Sequence, residues 1–139
     1  MTTLEAVVID TDVYSVLFTR RRRGDHRHDE WVARLQGKRI VISFQTRAEV
    51  LAGAVAAGWG DRTLRDLRRQ LDDTPTIHES PEVTDTYAAL TAACKNAGHP
   101  LHGKFHTGDR WIAACAITLG LKLFAGDHIY AGAPGLSLL

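Results

Sequence analysis

The sequence predicts an α/β domain, with a short parallel sheet of about four to five strands flanked by helices on both faces. Short apolar runs alternate along the chain with longer segments whose apolar residues recur at helical spacing. Each apolar run is continuous, as in strands that are covered on both faces. Strands joined through helices form right-handed crossovers and pair in parallel. The 139 residues, 45% of them apolar, are enough for one domain with a core.

The predicted elements follow in chain order. Strands are expected at residues 7–9, 39–43, 76–78 and 121–124, with a final edge strand at 136–139. Helices are expected at 13–17, around Trp31 and Leu35, and at 45–57, 64–71, 81–97 and 109–119. Gly58 ends the third of these helices, and Pro81 suits the first turn of the fifth. The last helix is apolar nearly all round, which predicts that it is buried.

The overall composition excludes several classes of protein. The formal net charge is +1, so no global field favours nucleic acid. Cys94 and Cys115 lie in apolar helical segments without a CxxC pair, which indicates buried, reduced thiols and a cytoplasmic protein. The N-terminal segment lacks the features of a signal peptide. The longest nearly apolar stretch, 111–121, is much shorter than the ~20 residues of a membrane span, so no membrane partner is expected.

Positive charge is nevertheless concentrated in one segment. Between residues 20 and 39, three acidic residues accompany eight basic ones, which are Arg20, Arg21, Arg22, Arg23, Arg27, Arg34, Lys38 and Arg39. A local patch of this kind attracts phosphate whatever the total charge, but it is equally typical of a solvated loop and helix face. Both interpretations stay open on the sequence alone.

Four acidic residues stand at equivalent places relative to the predicted strands. Asp10 follows the first strand directly, and Asp127 comes three residues after Phe124, which ends a later strand. Glu49 lies in the first turns of the helix after the second strand, and Asp109 opens the buried helix. Ligands of an open parallel sheet bind beyond the carboxyl ends of its strands. These four side chains are therefore expected to converge on one rim.

Together the four acids predict a site for a hard divalent cation. Carboxylates brought close together repel one another, which raises their pKa values unless a cation offsets the charge. Oxygen ligands without thiolates favour Mg²⁺ or Mn²⁺ over zinc, and such a cation supports phosphodiester hydrolysis. Each acid also has a structural alternative. Asp10 and Asp109 suit helix N-termini, Asp127 suits a turn, and Glu49 suits a helix surface.

Three segments, in this order, resemble the PIN-domain ribonucleases, and in particular the VapC-type toxins of bacterial toxin–antitoxin pairs. They are "VVIDTDVYSVLF", the glutamate within "SFQTRAEVLAGA", and "GDRWIAACAITLGLKLFAGD". The resemblance covers essentially the whole chain, and the ordered set is more specific than any one of its motifs. It implies that residues 1–139 form a single PIN-like nuclease domain.

The resemblance implies a Mg²⁺- or Mn²⁺-dependent endoribonuclease that hydrolyses RNA phosphodiester bonds with metal-activated water. Its catalytic and metal-binding set would be Asp10, Glu49, Asp109 and Asp127, with Asp10 and Asp109 as the most direct ligands. It further implies a homodimer and a cognate antitoxin that blocks the site. Contacts with RNA or with the antitoxin are expected at Arg20, Arg21, Arg22, Arg23, His106 and Arg110.

Two positions depart from the family pattern and leave alternatives open. Asp12 stands where the family usually has Ser or Asn, and Ala125 stands where it usually has Thr. "DTD" also resembles the start of the haloacid-dehalogenase-like phosphatases, with Asp10 as nucleophile and Asp12 as acid/base. That interpretation needs a second acid soon after Asp127, and "HIYAGAPG" contains none. Ala125 favours another alternative, a non-catalytic module that binds RNA or a protein.

A histidine-rich loop precedes Asp109. His99, His102 and His106 have the spacing H-x2-H-x3-H within "HPLHGKFHTG". A zinc site is one interpretation, although no cysteine accompanies the histidines. Contact with a phosphate or a base near the acidic site is the favoured functional interpretation, and an ordinary polar loop is the structural alternative.

Overall fold

The computed structural model describes residues 3–19 and 24–139, which contain four β-strands and six α-helices. The strands are β1 (Ala6–Ile9), β2 (Arg39–Ser43), β3 (Thr76–Ile77) and β4 (Lys122–Phe124). The helices are α1 (Thr11–Phe18), α2 (His28–Leu35), α3 (Phe44–Ala56), α4 (Asp61–Asp72), α5 (Pro81–Ala97) and α6 (Thr107–Leu119). Short 3₁₀ turns lie at Pro100–His102, Lys104–His106 and His128–Tyr130. The predicted α/β fold is confirmed.

The four strands form one parallel sheet in the order β3-β2-β1-β4. Val8 of β1 pairs with Val41 of β2 on one side and with Leu123 of β4 on the other. The edge strand expected at 136–139 is reduced to a single parallel bridge between Leu123 and Leu138. The backbone of Leu123 makes the two hydrogen bonds of this bridge, which is too short a ladder to count as a strand.

Helices cover both faces of the sheet because successive residues of a strand point to opposite sides. Val7 and Ile9 of β1 join one hydrophobic cluster, and Val8 joins the other. Helices α1 to α4 contribute buried residues to the first cluster, and α5 and α6 dominate the second. All three strand residues are completely buried, which explains why the run reads as continuously apolar.

Helix α6 packs inside the molecule, as its apolar sequence predicts. Its residues from Ile112 to Ala116 are buried, and its contacts with α5 are extensive. Cys94 of α5 and Cys115 of α6 are buried free thiols, which confirms the prediction for both. Gly98 and Gly120 end the two helices in the left-handed conformation, with φ of 67° and 64°. In the part of the chain that the structure describes, no helix is both long and apolar enough to cross a membrane.

The strand order creates a switch point between β1 and β4. The chain moves from β1 outward through β2 to β3, and then returns to place β4 on the opposite side of β1. Loops that leave neighbouring strands in opposite directions open a crevice at the carboxyl ends of those strands. Asp10 directly follows β1, and Gly126 and Asp127 follow β4, so the topology carries these residues to the crevice.

Candidate metal and nucleic-acid site

A cavity of about 350 Å³ lies at this switch point. All four predicted acids line it, together with six other residues: Thr11, Asp12, Ile112, Gly126, His128 and Tyr130. The acids come from the end of β1, from α3, from the start of α6 and from the segment after β4. Four distant parts of the sequence therefore place carboxylates on one concave surface.

Asp10 is the most buried of the four acids, with 4% of its surface exposed. Its Oδ1 accepts a hydrogen bond from the backbone N–H of Val13 at 2.9 Å, and its Oδ2 accepts one from Gly126 at 3.2 Å. Burial raises the pKa of Asp10 to about 7, and the negative charges of Asp12 and Asp109 add to the effect. The two hydrogen bonds only partly oppose this rise. Asp10 is thus both the N-cap of α1 and a carboxyl group whose ionised form is disfavoured by burial in the cavity.

Glu49 reaches the cavity from the second turn of α3. Ser43, the last residue of β2, caps this helix and so fixes where α3 begins relative to the sheet. The Glu49 carboxylate accepts long hydrogen bonds, both of 3.4 Å, from the Thr11 hydroxyl and the Gln45 amide. Burial and the negative charge of Asp109 raise the pKa of Glu49, and the two hydrogen bonds oppose the rise.

Asp109 occupies the first turn of α6, where the helix dipole favours negative charge. Both of its carboxylate oxygens have side-chain partners. The Tyr130 hydroxyl donates to Oδ1 at 3.1 Å, and Nδ1 of His106 lies 2.9 Å from Oδ2. Burial and the charges of Asp109, Asp10 and Glu49 raise the pKa of Tyr130, so its hydroxyl remains a proton donor. Asp109 is therefore held in place from both sides.

Asp127 lies at the exposed edge of the cavity. Its Oδ1 accepts a hydrogen bond from the backbone N–H of Ile129 at 2.9 Å, which caps the following 3₁₀ turn. The preceding Ala125 is half-buried against the core and offers no hydroxyl to this site. Asp127 therefore both caps a turn and lies on the rim of the cavity, so the two interpretations of this residue are compatible.

Asp12, the residue that departs from the family pattern, is ion-paired. Its Oδ2 lies 3.1 Å from Nη1 of Arg27, and this guanidinium also bonds Asp25 and packs 4.5 Å above the Trp31 ring. Arg27 offsets the charge that Asp12 adds next to Asp10. In the sequence Arg27 is one residue of a basic segment, and its pairing with Asp12, 15 positions away, has no local signal there.

Gly126 permits the close approach of these groups. A Cβ atom at this position would lie 2.5 Å from Oδ2 of Asp12 and 2.7 Å from Cη2 of Trp31. With no side chain, the Gly126 backbone comes near enough to donate its N–H to Asp10. The glycine of "AGD" therefore connects β4 to the carboxylate that ends β1.

The donor set fits a hard divalent cation in its chemistry. Carboxylate oxygens are the ligands that Mg²⁺ and Mn²⁺ prefer. Among the described residues no lysine or arginine lines the cavity, although Arg27 pairs with Asp12. Burial, and after it the charge of neighbouring carboxylates, raises the pKa values of Asp10 and Glu49, and a bound cation would favour the ionised form of both groups. Within 3–19 and 24–139, however, no three His, Cys, Asp or Glu side chains are grouped so as to hold a metal. In this geometry at most two of these side chains would contact one cation directly, and water would complete the coordination, as is common for Mg²⁺.

The predicted RNA or antitoxin contacts have different outcomes. Arg20, Arg21, Arg22 and Arg23 lie outside the described residues. His106 borders the cavity through its bond to Asp109. Arg110 does not suit the role, because only 6% of its surface is exposed. Its Nη1 donates to the carbonyls of Leu101 and Gly103 at 2.8 and 2.7 Å, and its Nη2 donates to the Tyr87 hydroxyl. Arg110 is an internal brace of the histidine-rich loop.

The histidine spacing does not produce a zinc site. The ring of His99 is used inside the protein, because Nε2 lies 2.8 Å from the carbonyl of Ala131 and Nδ1 accepts from the N–H of Leu101. His106 is engaged with Asp109, and His102 is exposed. The structural alternative explains His99. Contact with a phosphate or a base stays a prediction for His102 and His106.

The PIN domain family matches residues 7–135, a span that contains all four acids. The chain belongs to the PIN domain family. The match disfavours the haloacid-dehalogenase alternative, in which Asp10 would be the nucleophile and Asp12 the acid/base. In this PIN domain Asp12 is instead paired with Arg27. Among curated protein sequences, the chain has no significant match.

Solved structures of toxin–antitoxin complexes share this fold. A chain of VapBC2 from Rickettsia felis, bound to a DNA fragment from its promoter, superposes with a TM-score of 0.73 at 20% identity, covering 96% of this PIN domain and 97% of that chain. A chain of DNA-bound VapBC from Salmonella typhimurium gives 0.74 at 17% identity, covering 99% and 98%. A toxin–antitoxin complex from Klebsiella pneumoniae gives 0.67 at 25% identity, covering 94% of each chain.

Proposed function

We propose that this PIN domain is a Mg²⁺- or Mn²⁺-dependent endoribonuclease and the toxin of a toxin–antitoxin pair. One observation carries the proposal: four carboxylates from separate elements line one cavity at the switch point of the sheet, in a chain that belongs to the PIN family. Such a concentration of negative charge next to RNA makes sense only if a cation intervenes, since RNA is itself an anion.

The residues in and around the cavity have two proposed roles, which are to hold the cation and to position the carboxylates that hold it. Asp10 and Asp109 would hold the cation most directly, and Glu49 and Asp127 would complete the set. A divalent cation held there would lower the pKa of a water molecule and would provide positive charge for phosphate oxygens. Tyr130 and His106 keep the Asp109 carboxylate in place, while Thr11 and Gln45 do the same for Glu49.

Cleavage of RNA by the purified protein tests the proposal. Wild type, Asp10→Asn and the matched control Asp85→Asn, which changes an exposed aspartate of α5, would be compared with Mg²⁺ or Mn²⁺ and with EDTA. We expect cleavage by wild type and by Asp85→Asn, loss of cleavage in EDTA, and loss with Asp10→Asn. Equal cleavage by Asp10→Asn and wild type would contradict the assigned site.

Metal binding measured by calorimetry separates the nuclease from the non-catalytic alternative. The nuclease predicts that wild type binds Mn²⁺ and that Asp10→Asn binds it more weakly, because one carboxylate is lost while the shape is preserved. A chain that neither binds Mg²⁺ or Mn²⁺ at millimolar concentration nor cleaves total RNA would instead be a binding module. Ala125, which lacks the hydroxyl usual in the family, is the residue that favours this second candidate.

The proposed partner is a cognate antitoxin that covers the cavity, and the proposed assembly includes a homodimer of the toxin. The similar structures are toxin–antitoxin complexes, which supports the partner. Expression of the chain alone should arrest growth, and expression of Asp10→Asn should not. Co-expression with a neighbouring antitoxin gene should restore growth. Growth arrest by Asp10→Asn as severe as that by wild type would contradict a catalytic toxin.

A further inference from the structure

Phe105 is an exposed aromatic ring on a rigidly held turn. It has 87% of its surface exposed, against 41–57% for the other exposed large apolar residues among those described. A single apolar residue at a protein surface is ordinary and needs no function. Phe105 differs from such residues in how its backbone is anchored and in where the turn lies.

Several hydrogen bonds fix the turn Lys104–His106 that carries the ring. Buried Arg110 donates to the carbonyls of Leu101 and Gly103, just before the turn. The Thr107 hydroxyl donates to the carbonyl of Lys104 at 3.1 Å, and the N–H of His106 donates to that of Gly103 at 3.0 Å. The backbone that carries the ring is therefore already ordered and loses little conformational entropy when a partner covers Phe105.

The turn borders the acidic cavity. His106, the next residue after Phe105, lies 2.9 Å from the carboxylate of Asp109. The cavity lining itself includes neither Lys104 nor Phe105, so the turn adjoins the carboxylates through His106 and lies outside the cavity. Under the proposed nuclease function, nucleotides that flank the reacting phosphate would lie in the neighbourhood of this turn.

The residues around Phe105 suit a nucleic acid as partner. The segment 98–107 contains a lysine and three histidines and no acidic residue. The ammonium of Lys104 lies 5.3 Å from the centre of the Phe105 ring, so a cation and an aromatic face are presented together. Sites for single-stranded nucleic acid combine these two features, with cations near the backbone phosphates and rings on which bases stack.

We propose that Phe105 is a stacking platform for a base of the RNA substrate, with Lys104 contacting the adjacent phosphate. This inference rests on the proposed nuclease function and adds a substrate-binding residue to it. Stacking on a bare phenyl ring accepts any base, so this contact contributes affinity and register without selecting a sequence. Phe105 and Lys104 lie outside the set of carboxylates and contribute nothing to metal binding.

Binding of a fluorescein-labelled, single-stranded RNA of random sequence tests the inference by fluorescence anisotropy at low salt. Ca²⁺ replaces Mg²⁺ so that a hard cation with oxygen ligands offsets the charge of the carboxylates, and gel electrophoresis checks that the RNA stays uncleaved. We expect Phe105→Ala to weaken binding about tenfold, which corresponds to the lower part of the range for one stacked base. Phe105→Trp should bind as wild type does. The added tryptophan should make the protein's fluorescence more strongly quenched by RNA than that of wild type, which has three tryptophans. Leu119→Ala removes another exposed apolar residue, at the far end of α6, and should bind as wild type does.

Two further measurements separate the possible failures. With Mg²⁺, Phe105→Ala should raise KM and leave kcat and Mn²⁺ affinity near the wild-type values. If wild type binds RNA and Phe105→Ala binds equally well, the platform is wrong and the nuclease proposal stands. If Phe105→Ala instead dissociates a dimer in light scattering while RNA binding is unchanged, the ring belongs to a protein interface and the inference is overturned. If wild type neither binds nor cleaves RNA, the nuclease proposal fails, and the inference about Phe105 fails with it.

Discussion

The replacement of Asp10 by Asn should stabilise the metal-free protein at neutral and alkaline pH. The pKa of Asp10 is about 7 in the folded protein, against an ordinary value of 3.8. Because the folded-state pKa is the higher one, the folded protein holds a proton that the unfolded chain releases between these two values. The free energy of unfolding of the wild type therefore falls as the pH rises through this window. An asparagine has no charge to bury.

The expected magnitude combines two terms. The shift from 3.8 to about 7 corresponds to about 4 kcal/mol of stability lost once Asp10 is fully ionised. The Asn oxygen can still accept from the N–H of Val13 and cap α1. The other side-chain oxygen of Asp10, however, is replaced in Asn by an NH₂ group, which cannot accept from the N–H of Gly126. Leaving this N–H without an acceptor costs about 2 kcal/mol. The difference leaves Asp10→Asn more stable than wild type by about 2 kcal/mol well above pH 7, and near parity at about pH 5.

Urea unfolding in EDTA, at about pH 5 and about pH 8, measures both values. Adding Mg²⁺ should then raise the stability of wild type more than that of Asp10→Asn, because a ligand stabilises the folded state in proportion to how tightly it binds it. A wild type that equals or exceeds Asp10→Asn in stability at the higher pH would refute the assigned burial of charge. So would a difference between the two proteins that does not change with pH.

Three other variants probe the surroundings of the cavity. Gly126→Ala should lower the free energy of unfolding by about 1–3 kcal/mol, because its methyl group meets the Trp31 ring, and urea unfolding would measure this loss. Tyr130→Phe should weaken Mn²⁺ binding about tenfold, because Asp109 loses a donor that orients it; calorimetry would detect this, with the equally buried Tyr14→Phe as control. Arg110→Met should destabilise the fold by about 2–4 kcal/mol, because two carbonyls of the histidine-rich loop lose their donor. An unchanged midpoint of urea unfolding would contradict this structural role of Arg110.

The elements of the fold were predictable because each depends on a local pattern. Continuous apolar runs mark strands that are covered on both faces, and β1 is buried on both sides as its sequence indicates. The placement of acids at one rim follows from the same logic, since the carboxyl ends of parallel strands share an edge. The weakest prediction was the last strand, where four residues form only one bridge, at Leu138.

The partners of the acids were not predictable, because they join residues that are distant in sequence. Tyr130 contacts Asp109 across 21 positions, and Arg27 contacts Asp12 across 15. The burial of Arg110, in contrast, does have a signal in the sequence. A helix predicted to be buried nearly all round leaves few exposed positions, so an arginine within it requires internal acceptors.

The capping role and the proposed metal-binding role of Asp10 do not compete. Each carboxylate oxygen accepts one backbone hydrogen bond and retains a further lone pair, so the cap leaves both oxygens able to bind a cation. A cap alone would not require a carboxylate, since Ser or Asn caps a helix as well and carries no charge. At Asp10 the charge is buried to 4% exposure beside Asp12 and Asp109, which destabilises the metal-free protein. The need to cap α1 accounts for a polar residue after β1 but not for its negative charge, which the proposed cation site accounts for.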